Sequence, residues 1–353
     1  MCLYPKLIKN KKYVPNKKNK GNVPAPTDER VLWVPVGCGK CIECMKQKAR
    51  AWQVRMLEEI KVSKNGKFVT LSFSNEEFLK LADEVKIKSE KHIFENEVAT
   101  LAMRRFLERW RKETKKSIRH WCVTELGHNY TERIHIHGII FTDDIDKLNR
   151  LRKYGNVYVG KYVNEKTVNY IIKYVNKLDK GHPGYIPKVL CSPGIGNNYT
   201  KINSIVNTYK GKDTKQTYRT ANGYEINLPI YYRNKLYSEE EREKLWLNLL
   251  DKNERWVCGE KINGDNENEY FKLLKYYRDK NARLGYGDDS KKWMKDNYSR
   301  EYNKLRAIKK YTDVKNIKPM IEKREKRINI AEENKPTNFN ELSNLIKHDT
   351  DDF

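Results

Sequence analysis

The stretch that decides the fold lies at residues 133–140 and reads RIHIHGII. Apolar and polar residues alternate at its start, which is the period of a β-strand with one buried face. Successive side chains of a strand point to opposite faces, so His135 and His137 share one face while Ile134 and Ile136 share the other. We therefore predict a strand that packs its isoleucines against helices and leaves two imidazoles side by side on an open face.

Two neighbouring imidazoles are natural ligands of a divalent metal ion. A complete site needs a third ligand. Glu125 is the first candidate because it ends the preceding strand-like run and would lie beside the pair across a hairpin. A carboxylate among the ligands favours Mg²⁺ or Mn²⁺. The alternative interpretation is a pair of partly exposed strand histidines without a metal.

The next informative segment predicts an amphipathic helix that begins after Asn164, a favourable N-cap residue, and ends near Gly181. Tyr170 and Tyr174 are four residues apart and lie on the face opposite the apolar side chains, together with Lys173 and Lys177. A phenol becomes an effective nucleophile when its oxyanion is stabilised, and nearby ammonium groups supply part of that stabilisation. The alternative is a pair of surface tyrosines without a catalytic role.

Farther from these motifs, strand-like and helical patterns alternate up to about residue 215, and the pattern becomes mostly helical beyond Leu228. Helical periodicity covers residues 43–60 and 95–115, and strand-like runs cover residues 68–73, 118–125, 133–141 and 156–159. The first thirty residues are interpreted as an extended basic arm, and Asn75 is interpreted as the start of a loop and mixed segment. The sequence thus predicts an α+β fold with a central antiparallel sheet flanked by helices, a basic Cys-containing segment before it and an α-rich region after it.

The net charge of the chain is strongly positive. Its 353 residues include 72 Lys and Arg against 47 Asp and Glu, which gives +25. This charge favours a polyanionic partner, with a merely solubilising surface as the alternative. The 7 Trp, 23 Tyr and 9 Phe argue against a disordered chain. No run reaches the roughly 20 apolar residues of a membrane span, so we expect no membrane partner.

A His-x-His strand followed by Tyr-x-x-x-Tyr with interleaved lysines resembles the two-tyrosine HUH endonucleases, where U is a hydrophobic residue. More narrowly, the chain resembles the replication initiator proteins of gokushovirus-type microviruses, which are small single-stranded-DNA bacteriophages. The resemblance extends to about residue 290. Its other landmarks are residues 1–5, 38–44, 68–72, 193–196 and 231–237. One departure is Ile134, where this family often has proline, but that side chain faces away from the expected metal.

The resemblance implies a rolling-circle replication initiator, a metal-dependent endonuclease that nicks single-stranded origin DNA and later rejoins the strand into a circle. It implies that Tyr170 or Tyr174 attacks a phosphate, forms a 5′-phosphotyrosine and frees a 3′-OH, and that the other tyrosine allows a second cleavage. Lys173 and Lys177 are the candidates for holding the phosphate or the phenolate.

The resemblance also bears on the metal ligands. His135, His137 and Glu125 would bind Mg²⁺ or Mn²⁺, because Glu125 matches the position of the broader family's third ligand. His128 and Glu132 are rival candidates for that third position.

The implied partners are the replication origin, a host DNA polymerase and a helicase, in the cytoplasm of a bacterial host. The expected division of the chain is a basic arm, Cys cluster and helix at 1–60, a HUH nicking domain at 61–215, an α-rich accessory region at 216–320 and a polar, flexible tail at 321–353. Alternatives are a HUH transposase or plasmid relaxase, or a non-catalytic zinc-containing protein that binds single-stranded nucleic acid.

The cysteines predict a separate site. Cys38, Cys41 and Cys44 are spaced by two residues each, and Cys2 is the best fourth candidate because the N-terminal arm can fold back onto them. Part of an iron–sulfur binding run has the same spacing. Because nicking needs no redox chemistry, structural Zn²⁺ is favoured over an iron–sulfur cluster. Reduced thiols beside a turn are the remaining interpretation. Seven cysteines without a visible signal peptide also indicate a reducing compartment.

Overall fold

A computed structural model describes residues 2–85, 93–127, 133–178, 185–202 and 206–288 of the chain. The strands β1–β11 are, in chain order, Lys6–Lys9, Trp33–Val36, Gly66–Leu71, Arg119–Leu126, Ile134–Phe141, Val157–Val159, Val189–Cys191, Thr217–Arg219, Glu225–Asn227, Glu254–Val257 and Glu260–Asn263. The helices α1–α9 are Ile42–Val62, Asn75–Glu84, Ile93–Thr114, Ile145–Arg152, Glu165–Asn176, Tyr199–Ile202, Ile230–Leu236, Glu239–Asp251 and Glu267–Arg283. None of these helices is both long and apolar enough to span a bilayer.

The centre of the fold is a five-stranded antiparallel sheet with the strand order β6-β3-β5-β4-β7. The histidine strand β5 is the middle strand. Glu125 of β4 lies directly opposite His135, and Thr70 of β3 lies directly opposite His137. The predicted antiparallel sheet and the strand character of residues 133–141 are therefore confirmed.

Helices cover both faces of this sheet. Ile134, Ile136 and Ile140 pack on one face in a cluster with residues of α2, α3 and α4. On the other face, Ile139 and Trp121 pack against α1 and α5. This second face is the one that carries the histidines, so the prediction of an open face is wrong. The apolar residues after His137 occupy both faces of the strand, which is why two layers of helices form.

Glycine is required at position 138, in the middle of β5. A Cβ atom there would lie 2.3 Å from the carbonyl oxygen of Trp121 and 2.6 Å from Cys122 Sγ. No side chain fits at such distances. Glycine at position 138 therefore allows the histidine strand β5 to lie close to β4.

The helices predicted from periodicity at 43–60 and 95–115 are confirmed as α1 and α3. Residues from Asn75 form helix α2 and not a loop. The Ser74 side chain accepts a hydrogen bond from the backbone N–H of Glu77, and Leu81 and Ala82 are buried. The spacing of Ser74 and Glu77 is a signal for the start of a helix, and it argues against a loop at this position.

The N-terminal segment is not an extended arm. Strands β1 and β2 pair antiparallel, with Lys6 opposite Val36 and Lys9 opposite Trp33. The C-terminal part is less uniformly helical than expected, because the β10–β11 hairpin lies between α8 and α9. The predicted tail at 321–353 lies outside the described residues, and the domain boundaries remain predictions.

Candidate active site

Helix α5 presents the tyrosine pair. It begins at Glu165 because the Asn164 side chain accepts from the backbone N–H of Thr167, whose hydroxyl accepts from the backbone N–H of Asn164. Its buried residues pack against α1 and the sheet. The predicted start of the helix after Asn164 is thus confirmed, but the helix ends at Asn176 and not near Gly181.

The two tyrosines contact each other directly. Tyr174 Oη donates a hydrogen bond to Tyr170 Oη over 2.7 Å, and the rings are perpendicular with centroids 5.5 Å apart. The side chain of Tyr170 is 50% exposed. Tyr174 is half-buried because its ring stacks on His137, with the centroids 4.5 Å apart and the planes at 6°. The tyrosine and histidine motifs therefore form one site.

His137 is held from two sides. Its Nε2 lies 2.9 Å from Glu125 Oε2, and its Nδ1 lies 3.1 Å from Thr70 Oγ1. The His135 ring follows on the same face, 6.1 Å away between centroids. Thr70 is not among the residues that the sequence predicts for this site. The sequence does contain a signal for it, because Thr70 is a polar residue between the apolar Val69 and Leu71 in a run of strand-forming residues.

The two candidate lysines occupy different positions. Lys177 is the C-cap residue of α5, and its Nζ donates to Glu125 Oε1 over 2.7 Å. Glu125 therefore accepts from Lys177 with one oxygen and lies beside His137 with the other. Lys173 is exposed on α5 and forms no ion pair with any described residue of this site. The structure brings Lys177, and not Lys173, to the metal-ligand candidates.

The site holds its groups in defined protonation states. Burial would raise the pKa of Glu125, but hydrogen bonds from His137 and Lys177 outweigh burial and lower it, so the carboxylate is ionised. Burial, followed by the proximity of His137, lowers the pKa of His135 and favours its neutral form. Burial and the hydrogen bond to Tyr170 raise the pKa of Tyr174 well above its ordinary value, so this phenol keeps its proton.

The donors fit a divalent ion in their chemistry. Two imidazoles and one ionised carboxylate come from the paired strands β4 and β5. Within the described part of the chain, the ligand atoms of these three residues do not all lie within 4.8 Å of one another. Glu125 instead contacts His137 and Lys177. The rival candidates His128 and Glu132 lie outside the described residues.

The four candidate cysteines also come together. The Sγ atoms of Cys2, Cys38, Cys41 and Cys44 all lie within 4.8 Å of one another, at the N-terminal end of α1.

Comparison with known proteins gives one family. No curated protein and no solved structure matches the chain. Residues 66–179, about a third of the chain, match the model of a family described as replication-associated protein ORF2. The matched range begins at β3 and contains every residue of the candidate active site. The segment that carries the histidine and tyrosine pairs is therefore similar to replication-associated proteins of this family, which is consistent with a replication initiator.

Proposed function

We propose that this protein is a rolling-circle DNA replication initiator that nicks single-stranded origin DNA through a phosphotyrosine intermediate and later rejoins the strand. The observation that carries the proposal is the stacking of Tyr174 on His137, with the Tyr174 hydroxyl bonded to Tyr170. It unites a nucleophile pair with metal-ligand candidates inside the range that matches replication-associated proteins.

Tyr170 is the proposed first nucleophile. Tyr170 is half exposed, and its hydroxyl accepts a hydrogen bond from Tyr174 that would stabilise the phenolate as the proton leaves. A bond forms between Tyr170 Oη and the scissile phosphorus, and the bond from phosphorus to the 3′ oxygen breaks. The phenolic proton passes to solvent and the leaving oxygen takes up a proton. The products are a 5′-phosphotyrosine and a 3′-OH that a host polymerase can extend.

The residues around the nucleophile prepare the phosphate site. A Mg²⁺ or Mn²⁺ ion held by His135, His137 and Glu125 would supply the positive charge that polarises the scissile phosphate. Thr70 orients the His137 ring, and Lys177 balances the charge of Glu125. Because the phosphodiester is retained on tyrosine, the later joining step needs no nucleotide cofactor.

Exposed aromatic side chains favour single-stranded DNA as the substrate. Tyr158 on the edge strand β6 is 63% exposed and packs edge-on against Phe68, at 6.3 Å between centroids. Phe68 in turn contacts the Tyr170 ring at 6.0 Å. Unpaired bases stack on such rings with little sequence preference. The aromatic series therefore offers a path for bases next to the nucleophile.

The proposal is tested by a covalent adduct. The protein is incubated with single-stranded origin DNA and Mn²⁺, and the products are separated on a denaturing gel. We expect an adduct with the wild type, a weaker one with Tyr170→Phe and none with the Tyr170→Phe/Tyr174→Phe double variant. Tyr224→Phe is the matched control, because Tyr224 is highly exposed and lies beside β9, outside the site. An adduct that persists in the double variant would contradict the proposal.

The same experiment separates the alternatives. A non-catalytic single-strand binder would retain the DNA but form no adduct under any metal condition. A transposase or relaxase would form an adduct with its own recognition site and not with a replication origin.

A further inference from the structure

Four cysteines from separate segments meet at one end of α1. Cys2 precedes β1, Cys38 follows β2, Cys41 is the N-cap residue of α1, and Cys44 lies in its first turn. Cys2 Sγ lies 3.8 Å from Cys41 Sγ, and Cys38 Sγ lies 3.9 Å from Cys44 Sγ. The cluster lies outside the proposed nicking site and outside the range that matches the replication-associated family.

These distances match a mononuclear tetrahedral site. With a Zn–S bond of about 2.3 Å, the sulfur atoms of a tetrahedral centre lie roughly 3.8 Å apart. A four-iron cluster places its four thiolates on a larger tetrahedron, because iron and sulfide atoms lie between them. A disulfide would require a sulfur–sulfur distance near 2.05 Å, and all four thiols are free.

The backbone around the cluster directs donors at the sulfur atoms. The N–H groups of Tyr4 and Cys38 donate to Cys2 Sγ over 3.3 and 3.2 Å, and the N–H of Cys41 donates to Cys38 Sγ over 3.3 Å. Such outer contacts stabilise thiolate ligands and fix their orientation. Two separate segments therefore arrange their amides around these sulfurs.

We propose that Cys2, Cys38, Cys41 and Cys44 bind one Zn²⁺ as a closed structural site that fastens the C-terminal hairpin and α9 to the start of α1. On binding, the four thiols lose their protons to solvent, and the resulting thiolates form four Zn–S bonds. No position stays open for a substrate, so the role is structural.

The contacts beside the cluster give it this fastening role. Arg278 of α9 donates from Nε to the carbonyl oxygen of Leu3 over 2.9 Å. The backbone N–H of Ile42 donates to Oδ1 of Asn281, which is fully buried. Cys41 belongs to one buried apolar cluster with Leu3 and Tyr4 of the N-terminal segment, Val257 and Ile262 of the hairpin and Leu274 of α9. Loss of the metal would free both chain segments at once.

Metal content tests the site independently of DNA cleavage. The full-length protein, purified without chelator, should contain about one zinc per chain by elemental analysis and no stoichiometric iron. Replacement of zinc by Co²⁺ should give the intense visible bands of tetrahedral thiolate coordination. Cys41→Ser and Cys44→Ser should each lose most of the zinc. A wild-type protein without zinc, or one with iron and sulfide, would overturn the proposal.

Matched variants locate the site. Cys258→Ser changes a cysteine that packs beside the cluster, and Cys191→Ser changes one in the central sheet, so both should retain the zinc. The His135→Ala/His137→Ala double variant should also retain it, which separates this metal from the proposed catalytic ion. If the histidine variant loses the zinc and the cysteine variants keep it, the assignment is wrong.

Hydrogen exchange tests the fastening. Extraction of zinc by a thiol reagent and a chelator should speed amide exchange in β10, β11 and α9 by at least tenfold, while the central strand β5 stays protected. Unchanged exchange in α9 after complete extraction would contradict the fastening role. Neither readout depends on nicking activity, so this proposal can fail or succeed without the proposed function.

Discussion

Thr70 contacts His137, one of the metal-ligand candidates of the proposed function. Its hydroxyl lies 3.1 Å from His137 Nδ1, where it can accept a hydrogen bond from a protonated Nδ1 or donate one to an unprotonated Nδ1. When it accepts, the lone pair of Nε2 is free for a metal ion. A second contact of a ligating histidine commonly fixes its tautomer in this way.

Thr70→Val should therefore weaken divalent-ion binding about 10- to 100-fold while leaving the fold intact. Nicking as a function of Mn²⁺ concentration measures this, and saturating Mn²⁺ should restore most of the rate. Thr217→Val, which changes a strand threonine of β8 far from the site in sequence, is the control. An unchanged Mn²⁺ dependence would show that Thr70 does not orient the ring.

Glu59 on α1 is a buried polar residue with a structural role. Its side chain is 1% exposed and pairs with Arg119 of β4, while the backbone N–H of Gly196 donates to its Oε2 over 2.7 Å. Burial would raise the pKa of Glu59, but the hydrogen bonds from Arg119 and Gly196 outweigh it, so the pKa lies below its ordinary 4.5.

Because the pKa of Glu59 is lower in the folded than in the unfolded chain, its contribution to stability is complete above about pH 4.5. That contribution is lost as the pH falls through the lowered folded pKa. Glu59→Gln should cost about 3 kcal/mol at neutral pH and flatten the acid limb of the stability curve. Urea unfolding between pH 3 and 7 measures both effects. An acid limb as steep as that of the wild type would assign the dependence to other carboxylates.

Among the elements, helix α5 connects the sheet, helix α1 and the tyrosines. Ile171 and Val175 are fully buried against α1 and the sheet, whereas Tyr170 and Tyr174 emerge beside the histidines. The spacing of apolar residues predicted the buried side of this helix. It did not place Tyr174, which stacks on His137 at the boundary between the apolar and polar sides. That position depends on where the sheet lies relative to the helix. The periodicity of the sequence gives no information about this placement.

Ile171→Ala should lower the free energy of unfolding by about 3 kcal/mol, because it opens a cavity under α5. Ile230→Ala is the matched control, since Ile230 is 64% exposed, and should change stability by no more than about 0.5 kcal/mol. Denaturant unfolding compares the two. Equal effects of the two substitutions would show that α5 is not packed as described.

Residues 194–196 form a Gly-Ile-Gly turn of the kind whose backbone amides can approach a phosphate. The packing of this turn does not favour such a role. Instead, the amide of Gly196 donates to Glu59, and Ile195 is fully buried. A Cβ atom on Gly196 would lie 2.5 Å from the carbonyl oxygen of Arg55, and its φ of +72° also favours glycine. The glycine serves close packing against α1.

For the whole molecule, the charge of +25 bears on binding and not on the fold. Binding of single-stranded DNA should fall steeply with salt, with a log–log slope of roughly −0.7 per phosphate contacted. With about six to ten contacts, affinity falls roughly 10²- to 10⁴-fold between about 50 and 200 mM salt. Filter binding in the absence of metal measures it, and nicking should additionally require the divalent ion. A flat salt dependence would exclude a mainly electrostatic interface.

Local patterns predicted the central sheet, its two long flanking helices and the place of Glu125 beside the histidine strand. The association of the tyrosine pair with the histidine pair was expected only from the family resemblance. The alternation around His135 specifies a strand, and the N-cap at Asn164 specifies where α5 begins. The pairing of β1 with β2 was not predictable, because their sequences KLIK and WVPV show no alternation of apolar and polar residues and the two strands are far apart in the chain. Helix α1 covers the histidine face of the sheet but ends more than seventy positions before His135. Local patterns around the histidines therefore did not predict this contact.

The hydrogen bond between Tyr170 and Tyr174 also implies that, under the proposed function, two DNA strands occupy the attack position one after the other. Their oxygens are 2.7 Å apart, whereas two phosphodiesters, each bulky and negatively charged, cannot approach so closely. Under the proposed function, the two hydroxyls therefore cannot hold two DNA strands in the attack position together. One strand must leave the catalytic position, still attached to its tyrosine, before the next enters. The enzyme would then admit one DNA junction at a time.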